Sequence, residues 1–430
     1  MTISSERCGA FRESSPPAIV FLVDIAVPEA SNVPEPLTLL CIATYVKGQE
    51  FLREAKRLGC RVVLLTLEKR RDADWPRESL DDIFYIPENL TLQQMIHAVS
   101  YMARSVRIDR IVALDEFDME PAAELREHMR IPGMGATTLR YFRDKLAMRE
   151  RAHEEGILVP PFCPVLNYDV LRDFMARVAP PWVLKPRSEA SAIGIQKLER
   201  SEDLWPLLDQ LGDRQSYHLL EKFVPGEVFH VDSVISEGKV VFSDVHQYGR
   251  PPMQISHGGG VFTTRTLQRT GPEAKKLQTI QRKLQKALGF VRGVAHTEFI
   301  RAEADQKFYF LETSARVGGA YIADVVEAAT GINLWREWAR VEILAENYKL
   351  PKPKPDYAGI LLTLAKQETP DLSQYTDPEI TARPEKKHHA ALILKSPNPA
   401  RIDELIGNYT PRFLEDFSAY APVPLEKPTD

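Results

Sequence analysis

Long apolar runs are missing from this chain of 430 residues. The longest near the N-terminus, Ala18 to Val27, is interrupted by Asp24 and follows acidic residues. It lacks the basic start of a signal peptide and is too short to span a bilayer, so a buried first strand is expected there. A basic excess is missing too. The 55 Lys and Arg face 60 Asp and Glu, a formal net charge of -5, which argues against nucleic acid as main partner. Cysteine is scarce: Cys8, Cys41, Cys60 and Cys163 stand without CxxC spacing. Neither a zinc knuckle nor a disulfide framework is indicated, and a reducing cytoplasm is the expected compartment. The chain shows no internal repeat and no low-complexity tract.

What is present is a composition 44% hydrophobic, enough to bury a sizeable core in two or three lobes. Residues 1–17 are polar, end on Pro16 and Pro17, and are expected to form a loose tail. From Ala18 to about 140, short apolar runs (AIVFLVDI, RVVLLTL, IFYIP, RIVALD) alternate with helical text such as QEFLREAKRLG. This spacing predicts βαβ units around a parallel sheet. Asp24, Glu68, Asp115 and Glu116 would then fall at the carboxyl ends of strands, where such sheets place ligand chemistry.

One helix is expected over RYFRDKLAMRERAHEEG, ending at Gly156, and another over 168–178. After Pro181 the strands WVLKP, HLLEKFV, VFHVDSVI, KVVFSDVHQY, VAHTEFI and KFYFLETS are mostly joined by short turns, which predicts antiparallel pairing. Helices are expected over 272–289 and from Ala320 to Thr330. A PKPKP linker at 351 opens a C-terminal region of mixed strand and helix. The fold class is α/β and α+β, divided into a tail (1–17), an N-terminal α/β domain (18–140), a small lobe (141–225), a large lobe (226–350) and a C-terminal α+β region (351–430).

The chemistry concentrates in three places. In the hairpin of HTEFI and FLETSAR, alternation puts His296 and Glu298 on one face, and Glu312, Ser314 and Arg316 on one face of the partner. A fold near Asp305 brings Glu298 opposite Glu312, and two facing carboxylates call for a cation between them. Magnesium answers that need with hard oxygen ligands, and Arg316 stands ready for a phosphate or oxyanion. Gly318 and Gly319 follow, allowing close backbone approach to an anion. The plainer alternative is a pair of solvated glutamates.

Second, WVLKPRSEASAIGI delivers Lys185 into a loop of small residues including Ser188 and Ser191, a phosphate clamp of point charge plus backbone N–H groups that does not match a Walker loop. Third, Glu221, Lys222, Phe223 and Val224 form an extended segment able to offer backbone groups to an adenine edge, with Glu227 placed for ribose hydroxyls. An ordinary strand and turn remains open for that segment. His257, Gly258 and Gly259, before the strand VFTTRT, are expected at the substrate pocket or on a plain surface hairpin, with His246, Tyr248 and His296 as further candidates.

The order of these pieces, Lys145 before a helix, Lys185 with its loop, EKFVPGE, then Glu298 and Glu312 on a hairpin, resembles the ATP-grasp superfamily over roughly 110–340. The resemblance implies ATP between two α+β lobes: Lys145, Lys185, Ser188 and Ser191 on phosphates, Glu221 to Val224 on adenine, Glu227 on ribose. It implies magnesium, with Mn2+ as a substitute, on Glu298 and Glu312. Many members carry Asn two residues after the second glutamate; here Ser314 stands there, as a third candidate ligand. The ETSAR text with its glycine pair is similar to bacilysin-type L-amino acid ligases and carnosine synthase. That likeness implies an acyl phosphate captured by an amine, with Lys185, Glu312 and Arg316 catalytic and small-molecule carboxylate and amine substrates, amino acids first among them. Biotin-carboxylase-like carboxylation and a non-catalytic ATP sensor are the competing readings. A homodimer is the base-rate expectation.

Overall fold

The computed structural model describes residues 36–189 and 194–419. The expected tail, the strand at 18–25 with Asp24, and Ser191 lie outside the described residues. Among the described residues no helix is long and apolar enough to cross a membrane.

The first sheet is parallel, built from β1 (Thr38–Ile42), β2 (Arg61–Leu67), β3 (Asp82–Ile86) and β4 (Arg110–Ala113) in the order β3-β2-β1-β4. Its central strand is TLLCI, a run the sequence reading did not single out. All five of its residues are buried, as a central parallel strand covered on both faces requires. The helix Leu92–Met102 opens with a capping box between Thr91 and Gln94, which fixes its start by satisfying two otherwise orphaned N–H groups. Asp115 and Glu116 follow β4 at its carboxyl end, after Leu114.

The second sheet is antiparallel: β5 (Phe162–Pro164), β6 (Trp182–Pro186), β7 (Gln196–Leu198) and β8 (His218–Lys222), in the order β5-β8-β6-β7. The single helix expected over 140–156 is two helices, Ala136–Arg143 and Lys145–Glu154. The break is Asp144, whose carboxylate caps Leu146 N–H and pairs with Arg187, while Lys145 N–H donates to the Arg187 carbonyl at 2.8 Å. Periodicity runs straight through such a break, because the competing bonds come from residues more than forty positions away.

The third sheet has eight strands: β9 (Gly226–Ser236), β10 (Lys239–Tyr248), β11 (Phe262–Thr266), β12 (Gly293–Ala302), β13 (Phe308–Ser314), β14 (Tyr357–Leu364), β15 (Ile380–Ala382) and β16 (His389–Ser396). They pair antiparallel in the order β13-β12-β9-β10-β11-β14-β16-β15. The C-terminal region therefore forms no sheet of its own but extends this one through β14, β15 and β16. The helix Pro272–Ala287 covers one face, burying Leu277 and Leu284. Its Gln281 and Gln285 donate to the hydroxyls of Thr297 on β12 and Thr313 on β13. Phe229, Phe299 and Phe310 are fully buried on the same side, and truncating any one to Ala would cost about 3–5 kcal/mol. This packed, hydrogen-bonded face holds β12 and β13 rigid, so their opposite face can carry the chemistry.

Candidate active site

On that opposite face Glu298 of β12 pairs in register with Glu312 of β13. The register shifts just beyond them, where Leu311 is the extra residue between the pairs Glu298–Glu312 and Phe299–Phe310. A bulge of this kind re-aims side chains at a sheet rim. Tyr248 on β10 donates its hydroxyl to Glu298 at 2.7 Å. The cation the paired carboxylates require is present in part: Lys145 Nζ lies 2.9 Å from Glu312 and 2.6 Å from the Glu189 carbonyl. Burial would raise the Glu312 pKa, but Lys145 holds it below its ordinary value. Two opposed hard carboxylates beside an ammonium fit magnesium and a phosphate chain, since magnesium takes one or two carboxylates and completes its shell with water and phosphate oxygens.

Two buried triads flank the pair. In one, Glu221 of β8 receives Lys185 Nζ of β6 at 2.5 Å and Arg149 Nε at 2.7 Å. Arg149 is fully buried and also donates to the Leu311 carbonyl, tying β8 to the bulge of β13. Burial pushes the Lys185 pKa down to about 8, with Glu221 opposing the shift. In the other triad, Glu116 receives Arg143 at 2.8 Å and Arg316, and accepts from the Ser314 hydroxyl at 2.5 Å. Burial would raise the Glu116 carboxyl; Arg316 and Arg143 outweigh it and hold the pKa at about 2. Each triad carries one more positive than negative charge, the polarity an incoming nucleotide needs.

Beneath Glu298 lies a third polar group. Asp232 on β9 bonds His230 Nδ1 at 2.6 Å and His296 Nδ1 at 2.9 Å, and His230 Nε2 reaches the Thr264 hydroxyl at 2.8 Å. Burial lowers the His230 pKa to about 3. Burial opposes charging of His296 as well, yet Asp232 and Glu298 outweigh it and raise that imidazole to about 10. His230, Asp232 and His296 offer metal-capable atoms within 4.8 Å of one another, but those atoms are already bonded among themselves. The group buttresses Glu298 from below.

The remaining expected residues fall as follows. Lys222 and Phe223 donate their N–H groups to the carbonyls of Pro161 and Pro181 at 2.8 and 3.0 Å, so these two donors are not available to a base. Neither proline has an N–H to return, which leaves the Lys222 and Phe223 carbonyls without a partner from those two residues. Glu227 is exposed and held by Arg301 and by Gln247 at 3.0 Å. Ser188 lies just after β6, half-buried. Gly258 ends the helix Pro252–Gly258 and Gly259 caps it with φ 69°. That helix joins β10 to β11, next to Tyr248; the side chain of His257 lies outside the described part.

The glycine pair stands at a turn that leads into a helix. Left-handed backbone falls not on Gly318 or Gly319 but on Ala320 (φ 53°) and Tyr321 (φ 59°), just before the helix Ile322–Thr330. Gly318 is required for space: a Cβ there would stand 2.9 Å from His296 Nδ1. Sequence reading missed Arg143 and Arg149 and saw Glu116 only as a strand-end carboxylate. Helical neighbours of Lys145 that carry charge on its buried side were the available signal.

Residues 52–133 match the ATP-grasp N-terminal domain and residues 178–324 match the ATP-grasp domain; the chain is a member of the ATP-grasp superfamily. It is 24% identical over 270 residues to an L-arginine-specific L-amino acid ligase of Bacillus subtilis, covering 61% of this chain and 64% of that protein. An L-amino acid ligase from Bacillus licheniformis has the same fold, with TM-score 0.70 and 18% identity over 90% of this chain and 99% of that one. A biotin carboxylase from Campylobacter jejuni superposes with TM-score 0.66 and 16% identity, over 90% and 92% of the two chains. The chain spans about three-fifths of the length of the curated relatives it matches.

Proposed function

We propose that this protein is an ATP-dependent carboxylate–amine ligase that joins amino acids, or an amino acid to another carboxylate, with ADP and phosphate as products. The observation that carries this reading is the Glu298–Glu312 pair with Lys145 on one side and Arg316, fixed by Glu116, on the other. Support for amino acids as substrates comes from the relatives' names, since the fold alone serves carboxylation equally well.

In this reading Glu298 and Glu312 hold magnesium, or manganese in its place, which would neutralise phosphate charge. Ser314 spends its hydroxyl hydrogen on Glu116, and the oxygen lone pairs that remain are what it would offer that ion. Lys145, Lys185 and the loop carrying Ser188 and Ser191 bind phosphates. The Lys222 and Phe223 carbonyls and the Val224 backbone meet the adenine edge beside Glu221, and Glu227 accepts from ribose hydroxyls. A substrate carboxylate oxygen attacks the γ-phosphorus and ADP leaves. The amine then attacks the acyl carbon, phosphate leaves, and the nitrogen gives up one proton. Arg316 steadies the oxyanion of that second step, because Glu116 fixes its guanidinium before charge develops. Gly318 and Gly319, together with His257, Gly258 and Gly259, are assigned to the substrate side. The enzyme works in the cytoplasm and assembles as a homodimer.

The test is ADP and phosphate release with amino acids offered singly and in pairs, products read by mass spectrometry, and Glu312→Ala as control. A condensed product that disappears in the control supports the ligase. Bicarbonate-dependent turnover without amino acids would replace it with carboxylation, and no turnover with any carboxylate would replace it with an ATP sensor.

A further inference from the structure

The two carboxylates proposed to hold magnesium are themselves held in unlike ways. Glu312 is met at Oε2 by the Lys145 ammonium, 2.9 Å away, a point charge on a flexible stem. Glu298 is met at Oε1 by two groups of its own sheet. The Tyr248 hydroxyl donates to that oxygen at 2.7 Å, and His296 Nε2 stands 3.6 Å from the same atom. Both contacts fall on Oε1, which leaves Oε2 free of these two donors.

The two donors are fixed in turn. Tyr248 is buried on β10, its ring against those of His230 and Phe262 with centroids 4.6 and 5.5 Å apart. His296 is pinned at Nδ1 by Asp232, 2.9 Å away, and Asp232 is fully buried and holds His230 as well. Strand pairing sets the spacing of these groups, because His296 pairs with Asp232 and Glu298 with His230 between β12 and β9. The turn after Arg316 respects the same arrangement, since a Cβ on Gly318 would stand 2.9 Å from His296 Nδ1. Side chains locked by packing and hydrogen bonds hold a ligating group to about 0.5 Å.

We propose that Tyr248 is a positioning residue for the metal site: backed by His296 and Asp232, it holds Glu298 by Oε1 and so presents Oε2 to the divalent cation. Without the hydroxyl the carboxylate is free to turn, and outer partners of this kind are worth about 10–100-fold in metal affinity. The inference rests on Glu298 as a metal ligand, as proposed above, and is independent of which carboxylate and amine are joined.

The full chain with a non-hydrolysable ATP analogue is titrated with Mn2+, free metal being read by electron paramagnetic resonance, and urea unfolding is followed in parallel. Wild type is expected to bind Mn2+ and Glu298→Gln to lose it. Tyr248→Phe keeps the packed ring and should weaken Mn2+ by about tenfold or more, with an unfolding midpoint near that of wild type. Wild-type Mn2+ affinity in Tyr248→Phe overturns the proposal whether or not stability falls, because a merely structural tyrosine changes stability alone. No binding by wild type, or wild-type affinity in Glu298→Gln, overturns the metal assignment and this inference with it, an outcome distinct from failure of the Tyr248 variant alone. If Tyr248→Phe does not fold, His296→Asn decides: its shorter side chain keeps a donor for Asp232 but withdraws from Glu298, and unchanged Mn2+ affinity there overturns the proposal.

Discussion

The two triads beside the carboxylate pair have the same plan, one buried glutamate between two cations, and differ in one partner. Glu116 sits between Arg143 and Arg316, neither of which can shed its proton; Glu221 sits between Arg149 and Lys185, whose pKa is already down to about 8. The first triad is therefore a fixed charge and the second an adjustable one. A fixed guanidinium suits an oxyanion that must be met without reorganisation. A lysine whose charge depends on its surroundings suits phosphates, whose arrival favours the ammonium form.

Breaking the fixed triad should have the largest effect. Glu116→Ala strands two buried guanidinium groups and should cost about 3–5 kcal/mol of stability by urea unfolding. Glu221→Ala should cost less, and its cost should shrink between pH 6 and pH 9 as Lys185 sheds its proton; equal, pH-independent losses in the two variants would erase the distinction. Next, Arg316→Met should slow amide formation by about 10²–10³-fold, while ATP affinity by equilibrium dialysis changes little.

The pH dependence sharpens the contrast further. Lys185 has a folded pKa near 8 against its ordinary 10.5, so the unfolded chain binds more protons between those values, and this group's contribution to stability rises over that interval. ATP binding that needs the ammonium should fall over the same interval, unlike stability, and Lys185→Arg should flatten the binding profile. Glu116 gives the opposite sign at low pH. Its folded pKa of about 2 lies below the ordinary 4.5, so its stabilisation is fully present above pH 4.5 and is lost as pH falls towards 2. Glu116→Gln should remove that part of the acid transition. The smallest effect expected is at Ala320, whose left-handed backbone costs about 1–2 kcal/mol. Ala320→Gly should raise the melting temperature slightly, and a fall would mean that its methyl packs usefully.

The legible parts of the molecule are those set by local rules. The hairpin that opposes Glu298 and Glu312 follows from two alternating runs and a short turn, and its bulge is the one detail alternation does not foresee. The helix end at Gly331 (φ 73°) and the amphipathic helix Pro272–Ala287 stand close to where their signals put them. The strand TLLCI was illegible because a short, mostly apolar run between turn signals is compatible with several states. The break at Asp144 was illegible because it depends on Arg187.

The sequence by itself determined the parallel sheet ahead of antiparallel pairing, the opposed glutamates and the lysine near the end of β6, because alternation, turn length and strand ends act over a few residues. Tertiary structure decided what those groups are paired with. Arg316 meets Glu116 across 200 positions, Arg149 meets Glu221 across 72, and the C-terminal strands join the sheet that carries the site. Charge pairing and burial act through space, so no spacing along the chain encodes which lysine stays charged and which arginine is held still.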